Sequence, residues 1–219
     1  YTPNGLAYQQ GKANKLEVND GRIMHVNYAN GKLWCVNGSS YNYGDGYGAR
    51  STIRTYCMDI YSSYNLLVND TVGNSGLDYY YPAVACNPSG DAVVSFGRSG
   101  SSEYSGCRYI GYKSGDTGFG YSVGVKSGVS GYYSPVDGRN RWGDYFGASF
   151  DPWDQKSFWM IGQWAVGSTT WGTWIQEANF KPNKLVVTAS PSAEITSTAT
   201  LSATITRSDT GAVLSGETV

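Results

Sequence analysis

The sequence predicts an all-β protein built from short antiparallel strands. Its 219 residues include 19 Tyr, 7 Trp and 29 Gly, but only 15% of them are charged. Aromatic side chains fit the pleated surface of a sheet, and glycine supplies the positive φ angles of tight turns. A hairpin-like segment also recurs at a spacing of 64 residues. These three features favour many strands joined by turns.

The repeated hairpin occurs three times along the chain. Residues 81–96 align with residues 145–160, and residues 24–35 form a further copy whose turn glycine, Gly31, matches Gly90. Each copy contains a strand, a turn of Asx, Gly or Pro residues, and a second strand, which is the chemistry of a β-hairpin. The chain is therefore expected to contain internally repeated β units.

Additional strands are expected after each hairpin. Third strands are predicted at 51–60, 107–113 and 173–180, and fourth strands at 65–72 and 119–126. Four antiparallel strands per unit of about sixty residues predict a propeller blade. The third unit lacks its own fourth strand, for which residues 15–18 are the candidate by strand exchange. Since a ring takes ~4–8 blades, we predict a partial β-propeller of about three four-stranded antiparallel blades.

The composition changes at Lys181. Residues 181–219 contain no aromatic side chain and are rich in Ser and Thr. Alternating polarity predicts strands at 185–189 and 199–206. We therefore predict propeller blades at 1–180 and a separate β module at 181–219. The chain begins at Tyr1 rather than Met, which we interpret as a processed or truncated start.

Part of the sequence resembles the sialidase-like, Asp-box-type β-propellers of secreted bacterial surface proteins. The resemblance covers about residues 15–180 and rests on four motifs: NRWGDY at 140–145, DP at 151–152, FW at 158–159 and WGTWI at 171–175. The segment from Val187 is similar to the start of a bacterial invasin-type Ig-like domain. These resemblances imply an extracellular or cell-surface protein whose propeller is followed by a truncated Ig-like β segment.

Arg141, Asp144 and Tyr145 are the candidate catalytic residues. The resemblance implies their roles, because sialidases bind a carboxylate with arginines and use a Tyr nucleophile, paired with a Glu, and an Asp acid/base. The repeat alignment places no glutamate beside Tyr145. The alternative, which we favour, is a buried Arg–Asp ion pair with Trp142 stacked over it.

Exposed aromatic side chains are the candidate ligand-binding residues. Tryptophans in turns and beside loops can stack on the apolar faces of sugar rings. Trp159, by contrast, belongs to a strand that is apolar on both faces, so we expect it to be sandwiched between neighbouring blades. Two Tyr-rich loops, at 41–48 and 78–81, have the composition of paratopes, or are solvent-exposed hairpin tips. The candidates are Trp153, Trp164, Trp171, Tyr47, Tyr79 and Tyr80.

The four cysteines have no CxxC spacing that would predict zinc. A hairpin centred on Gly46 places Cys35 opposite Cys57, where a cross-strand disulfide is feasible. Cys86 and Cys107 are instead expected to be buried thiols.

No metal or cofactor is predicted. His25 is the single histidine, so the chain cannot by itself supply a Ser-His-Asp or multi-His site. A structural Ca²⁺ remains the alternative, with candidate ligands Asp137, Asp144, Asp151 and Asp154.

The formal net charge of −1 gives no basic surface for nucleic acid, and no apolar run approaches the ~18 residues of a membrane span. We predict a non-catalytic extracellular module for adhesion, glycan or protein binding, or assembly. Its expected partners are a surface glycan or protein and the remaining blades, from the same protein or another chain. The alternatives are a sialidase-like glycoside hydrolase with its other catalytic residues elsewhere, and a structural spacer or cap of an extracellular stalk or filament.

Overall fold

The computed structural model describes residues 5–18, 21–179, 184–188 and 202–206, which form antiparallel sheets and contain no helix. The all-β prediction is confirmed. Two compact units are present, Tyr1–Glu177 and Ala178–Val219. The described residues include no helix of the length and apolar character needed to cross a membrane.

Three sheets follow one another along the first unit, after an N-terminal hairpin of β1 (Leu6–Gln9) and β2 (Lys12–Glu17). The first sheet contains β3 (Ile23–Ala29), β4 (Lys32–Asn42), β5 (Ala49–Asp59) and β6 (Leu66–Val72). The middle sheet contains β7 (Leu77–Cys86), β8 (Ala92–Gly100), β9 (Glu103–Tyr112) and β10 (Val123–Lys126). The third sheet contains β11 (Gly147–Phe150), β12 (Ser157–Ala165) and β13 (Trp171–Asn179).

Each of these sheets is a meander, because its strands pair in chain order. Tight turns make such pairing possible. Between β3 and β4 the turn is Asn30-Gly31, and both residues have positive φ, 46° and 78°. This left-handed pair is typical of the two-residue turn that matches the twist of a hairpin.

The middle sheet is buried on both faces because a neighbouring sheet packs on each side. On one face, Val84 and Val94 share a hydrophobic core with Trp34 and Val36 of the first sheet. On the other face, Ala83 belongs to a second core, which also includes Phe146, just before the third sheet. The three sheets are therefore stacked in chain order.

The N-terminal hairpin lies across one end of this stack. Leu16 is buried in the same core as Ala83 and Trp142. The Gln9 side chain bonds to the backbone of Tyr132 in both directions, at 2.8 Å and 2.7 Å. The prediction that 15–18 completes the third sheet is wrong. That segment pairs with β1 and forms no ladder with the third sheet, although a parallel bridge joins Glu17 to Arg141 ahead of β11.

The predicted disulfide between Cys35 and Cys57 is also wrong. Cys57 pairs with Trp34, whereas Cys35 pairs with Tyr56, so the two cysteines point to opposite faces of the first sheet. All four cysteines are free thiols. The observed register differs from the predicted one by a single residue, because Cys57 lies opposite Trp34 instead of Cys35. A shift of one residue moves every side chain of a strand to the other face of the sheet.

Beyond Asn179, the second unit is described only by two strands. β14 (Lys184–Thr188) and β15 (Ser202–Thr206) pair antiparallel, with Lys184 opposite Thr206. The other residues of the predicted Ig-like segment lie outside the described residues.

Candidate functional site

The aromatic turn between β11 and β12 is the most exposed of the predicted ligand sites. Asp151 fixes its shape: one carboxylate oxygen accepts from the Trp153 backbone N–H at 2.8 Å and the other from the Trp159 ring N–H at 3.1 Å. Asp154 holds the end of the turn through Ser157. Trp153 is 95% exposed on this fixed turn. An indole ring is therefore presented to solvent by a preorganised loop.

The second group of candidate tryptophans lies near the turn between β12 and β13. Trp171 is 56% exposed. Trp164 is half-buried, and the Lys126 ammonium lies 4.5 Å from its ring centroid and 4.3 Å from that of Trp174. This cation–π contact links β10 of the middle sheet to the third sheet. Trp171 is thus available to a ligand, whereas one face of Trp164 is covered by Lys126.

Only one of the three tyrosine candidates is exposed. Tyr47 is half exposed, but Tyr79 and Tyr80 are buried. Tyr79 packs against Phe96, and the Tyr80 hydroxyl is 2.7 Å from that of Ser105. The prediction that Tyr79 and Tyr80 meet a surface ligand is therefore wrong, because both rings are part of the core.

Arg141, Asp144 and Tyr145 precede β11 at the surface. Arg141 donates to both carboxylate oxygens of Asp144, at 2.9 Å and 2.8 Å, and both side chains are about half exposed. Tyr145 is 73% exposed. Trp142 is buried, with its ring edge-on to Tyr132 rather than over the ion pair. The buried ion pair that we favoured is therefore wrong, since the pair is solvent-exposed.

A charged cluster around Glu17 was missed by the sequence analysis. Arg139 binds the Glu17 carboxylate, and that hydrogen bond is the main cause that lowers the pKa of Glu17. The buried Tyr81 donates its hydroxyl to the Glu17 carbonyl oxygen at 3.2 Å. Burial raises the pKa of Tyr81. The cluster therefore brings Tyr and Glu together, but it keeps the tyrosine protonated rather than activating it as a nucleophile.

A buried ionic cluster at Arg50 was also missed. Arg50 and Asp78 are fully buried and 3.1 Å apart, and Arg50 also contacts Asp45 at 3.1 Å. The guanidinium lies over two tyrosine rings, 4.7 Å from that of Tyr8 and 4.5 Å from that of Tyr47. Tyr47 is thus held by Arg50, which explains its position in the loop. The local sequence did not signal this cluster, because β5 contains two arginines, Arg50 and Arg54, among Ser and Thr residues.

Three of the four carboxylates proposed for Ca²⁺, all except Asp137, are engaged in turns and ion pairs. Asp144 binds Arg141, and Asp151 and Asp154 accept the hydrogen bonds of the β11–β12 turn. Within the described residues, no group of three or more His, Cys, Asp or Glu side chains is arranged to hold a metal ion.

The cysteine thiols show no sign of activation. Burial raises the pKa of Cys57 to about 11 and that of Cys86 and Cys107 to about 12. The thiolate is the reactive form, so these three side chains act as small apolar core residues.

The chain was compared with known proteins. No protein-family model matches it, and a search of curated proteins finds no significant match.

Proposed function

We propose that the chain is a non-catalytic β-propeller module of an extracellular or cell-surface protein, and that it binds a glycan. The propeller arrangement is supported by the stacking order of the three meanders. It is also supported by their first strands: β3 and β11 both contact β7, as innermost strands do around a propeller axis. The Ig-like tail and bacterial source belong to the same proposal and rest on the sequence resemblance.

The ion pairing and the pKa of the polar side chains at the candidate site favour binding over catalysis. Arg141 and Asp144 neutralise each other at the surface, and the pKa of the buried Tyr81 is raised rather than lowered. A tyrosine nucleophile needs a neighbouring base or a lowered pKa. The sialidase-like alternative therefore has candidate residue types near one another but no activated group among those described.

Trp153 is the observation that carries the glycan proposal. A tryptophan that is 95% exposed, on a turn whose backbone is fixed by Asp151, offers a flat apolar surface at a defined place. Trp171, near the opposite end of the third sheet, offers a second such surface. Sugar rings can stack on these planes through their C–H faces.

A glycan array screened with the intact chain tests this proposal. We expect saturable binding that weakens at least ~10-fold, or about 1.4 kcal/mol, in Trp153→Ala or Trp171→Ala. Tyr121→Ala is the matched control, because Tyr121 is 96% exposed and lies outside the third sheet. Binding that ignores both tryptophans would contradict the proposal. Release of a fluorogenic glycoside that requires Tyr145 would favour the hydrolase.

A further inference from the structure

The outer face of the third sheet carries large exposed apolar side chains. Trp159 and Ile161 alternate with buried neighbours along β12 and are 43% exposed. The backbone N–H groups of Val166 and Gly167 both donate to the Thr170 carbonyl, which fixes the β12–β13 turn. Continuing this pairing along the hairpin places the exposed Ile175 opposite Ile161. Large apolar side chains therefore point away from the middle sheet.

The outer face of the first sheet is apolar as well. One row across its strands contains Tyr28, Leu33 and Met58, and the next contains Val26, Cys35 and Tyr56. Within these rows Val26, Tyr28 and Met58 are the exposed members. An antiparallel sheet whose face is permanently wet usually carries polar residues there. Both end sheets depart from that pattern.

The middle sheet shows what covers such a face. Its Ser95 hydroxyl donates to the Gly147 carbonyl of the third sheet at 3.1 Å. The Phe146 ring packs against Gly97, where a larger side chain has no space. Counted from the hairpin turns, Val93 and Ser95 of the middle sheet occupy the places that Trp159 and Ile161 occupy in the third sheet. Among the described residues, no such neighbour covers the corresponding face of the third sheet.

The internal packing also specifies which face the neighbour must present. Within the stack, each sheet packs one face against the opposite face of the sheet that follows it in the chain. His25 of β3 lies 2.9 Å from the Val84 carbonyl oxygen, and Asn27 accepts from the Cys86 backbone N–H at 3.1 Å. By this rule the outer face of the third sheet fits the outer face of a first sheet.

The two outer faces present apolar side chains in corresponding rows. In the second row from the turn, the first sheet presents Val26, Cys35 and Tyr56, and the third sheet presents Ile161 and Ile175. In the row nearest the turn, Tyr28, Leu33 and Met58 of the first sheet correspond to Trp159 of the third sheet, which stands between the polar Ser149 and Glu177. At the third level the first sheet presents Asn37 and Arg54 beside the exposed Ile23. At the same level the third sheet presents Gln163 and Thr173, whose side-chain oxygens are acceptors.

We propose that these outer faces join two copies of the chain, with the third sheet of each copy seated on the first sheet of the other. Two such contacts close a ring of six sheets, within the usual ~4–8 blades. The inference rests on the propeller arrangement proposed above and not on its ligand, since Trp153 lies on a turn at the sheet edge. The partner is therefore a second copy.

Sedimentation equilibrium of the intact chain tests this inference. We expect a dimer at about 100 µM and at least a ~100-fold rise in its Kd for Ile161→Arg or Val26→Arg, because either places a charge in an apolar contact. Both positions are already exposed in the single chain, so the variants should fold, as circular dichroism can verify. Tyr121→Arg is the control and should remain dimeric.

Mixing the two variants makes the test specific. Ile161→Arg changes the outer face of the third sheet, and Val26→Arg changes the outer face of the first sheet. A mixed dimer of one copy of each variant therefore retains one unchanged contact. An equimolar mixture should dimerise more tightly than either variant alone. A monomeric wild-type chain overturns the proposal, as does a dimer that is insensitive to Val26→Arg. Glycan binding by a monomer would leave the proposed function standing while rejecting the second copy.

Discussion

Arg50 joins three parts of the chain to its own strand through one guanidinium group. It contacts Asp45 in the β4–β5 turn, Asp78 in β7 and the ring of Tyr8 in β1. Asp78 also accepts from the backbone N–H groups of Tyr8 and Ser51, both at 2.9 Å. Burial raises the pKa of the Asp78 carboxyl, and these donors oppose that effect. The cluster therefore anchors the N-terminal hairpin to the first and middle sheets.

Arg50→Met should destabilise the protein by about 3–5 kcal/mol, because it leaves the Asp78 charge buried without its partner. Arg141→Met is the matched control: its ion pair with Asp144 is half exposed, so its removal should cost only ~0–1 kcal/mol. Urea denaturation of both variants measures the difference. Equal losses of stability would show that Arg50 is not a structural anchor.

At the scale of elements, the β4–β5 turn depends on Asp45. Its carboxylate accepts from the backbone N–H groups of Gly76 at 2.9 Å and Tyr47 at 3.0 Å, besides its contact with Arg50. These donors tie the turn to the segment that precedes β7. Three glycines with positive φ, Gly44, Gly46 and Gly48, let the chain reverse within this turn.

The stability of this turn should depend on pH. Hydrogen bonds from Gly76 and Tyr47, with Arg50, lower the pKa of Asp45 from 3.8 to about 2. The folded state therefore binds this proton less tightly than the unfolded state, and the stabilisation is present above pH ~4 and lost as the pH falls to ~2. Asp45→Asn should flatten this part of the profile, measured as free energy of unfolding against pH. Parallel wild-type and variant profiles would contradict the assignment.

The sequence predicted the elements better than their register. The meander strands follow from turn residues and alternation, and the structure has them close to the predicted bounds. Among the described residues the third sheet has three strands, one fewer than each of the other two sheets of the stack. Turn length is harder to predict. Ala29 pairs with Lys32 across two residues, whereas Cys86 pairs with Ala92 across five. A gapless repeat alignment therefore assigns one strand of the first hairpin to the wrong face.

At the scale of the whole molecule, the contacts that sequence reasoning missed are those between distant segments. The hydrogen bond between Arg139 and Glu17 spans 122 residues, and that between Gln9 and Tyr132 spans 123. Neither contact has a local sequence signature, because the residues around Glu17 and Gln9 do not show whether a distant segment will bind these side chains. The apolarity of both faces of β12, in contrast, predicted neighbours on two sides, and the structure supplies one of them.

The stacking order of the three sheets is the claim on which the other interpretations depend. Methyl-selective NMR tests it in solution. We expect nuclear Overhauser contacts from Val36 and Ile53 to Val84 and Ile110, because these side chains share the core between the first and middle sheets. Ala83 should likewise show contacts with Phe146, across the core on the other side. Contacts of Val36 or Ile53 with Phe158 or Met160 in place of Val84 and Ile110 would put the third sheet directly on the first, and would contradict the stack.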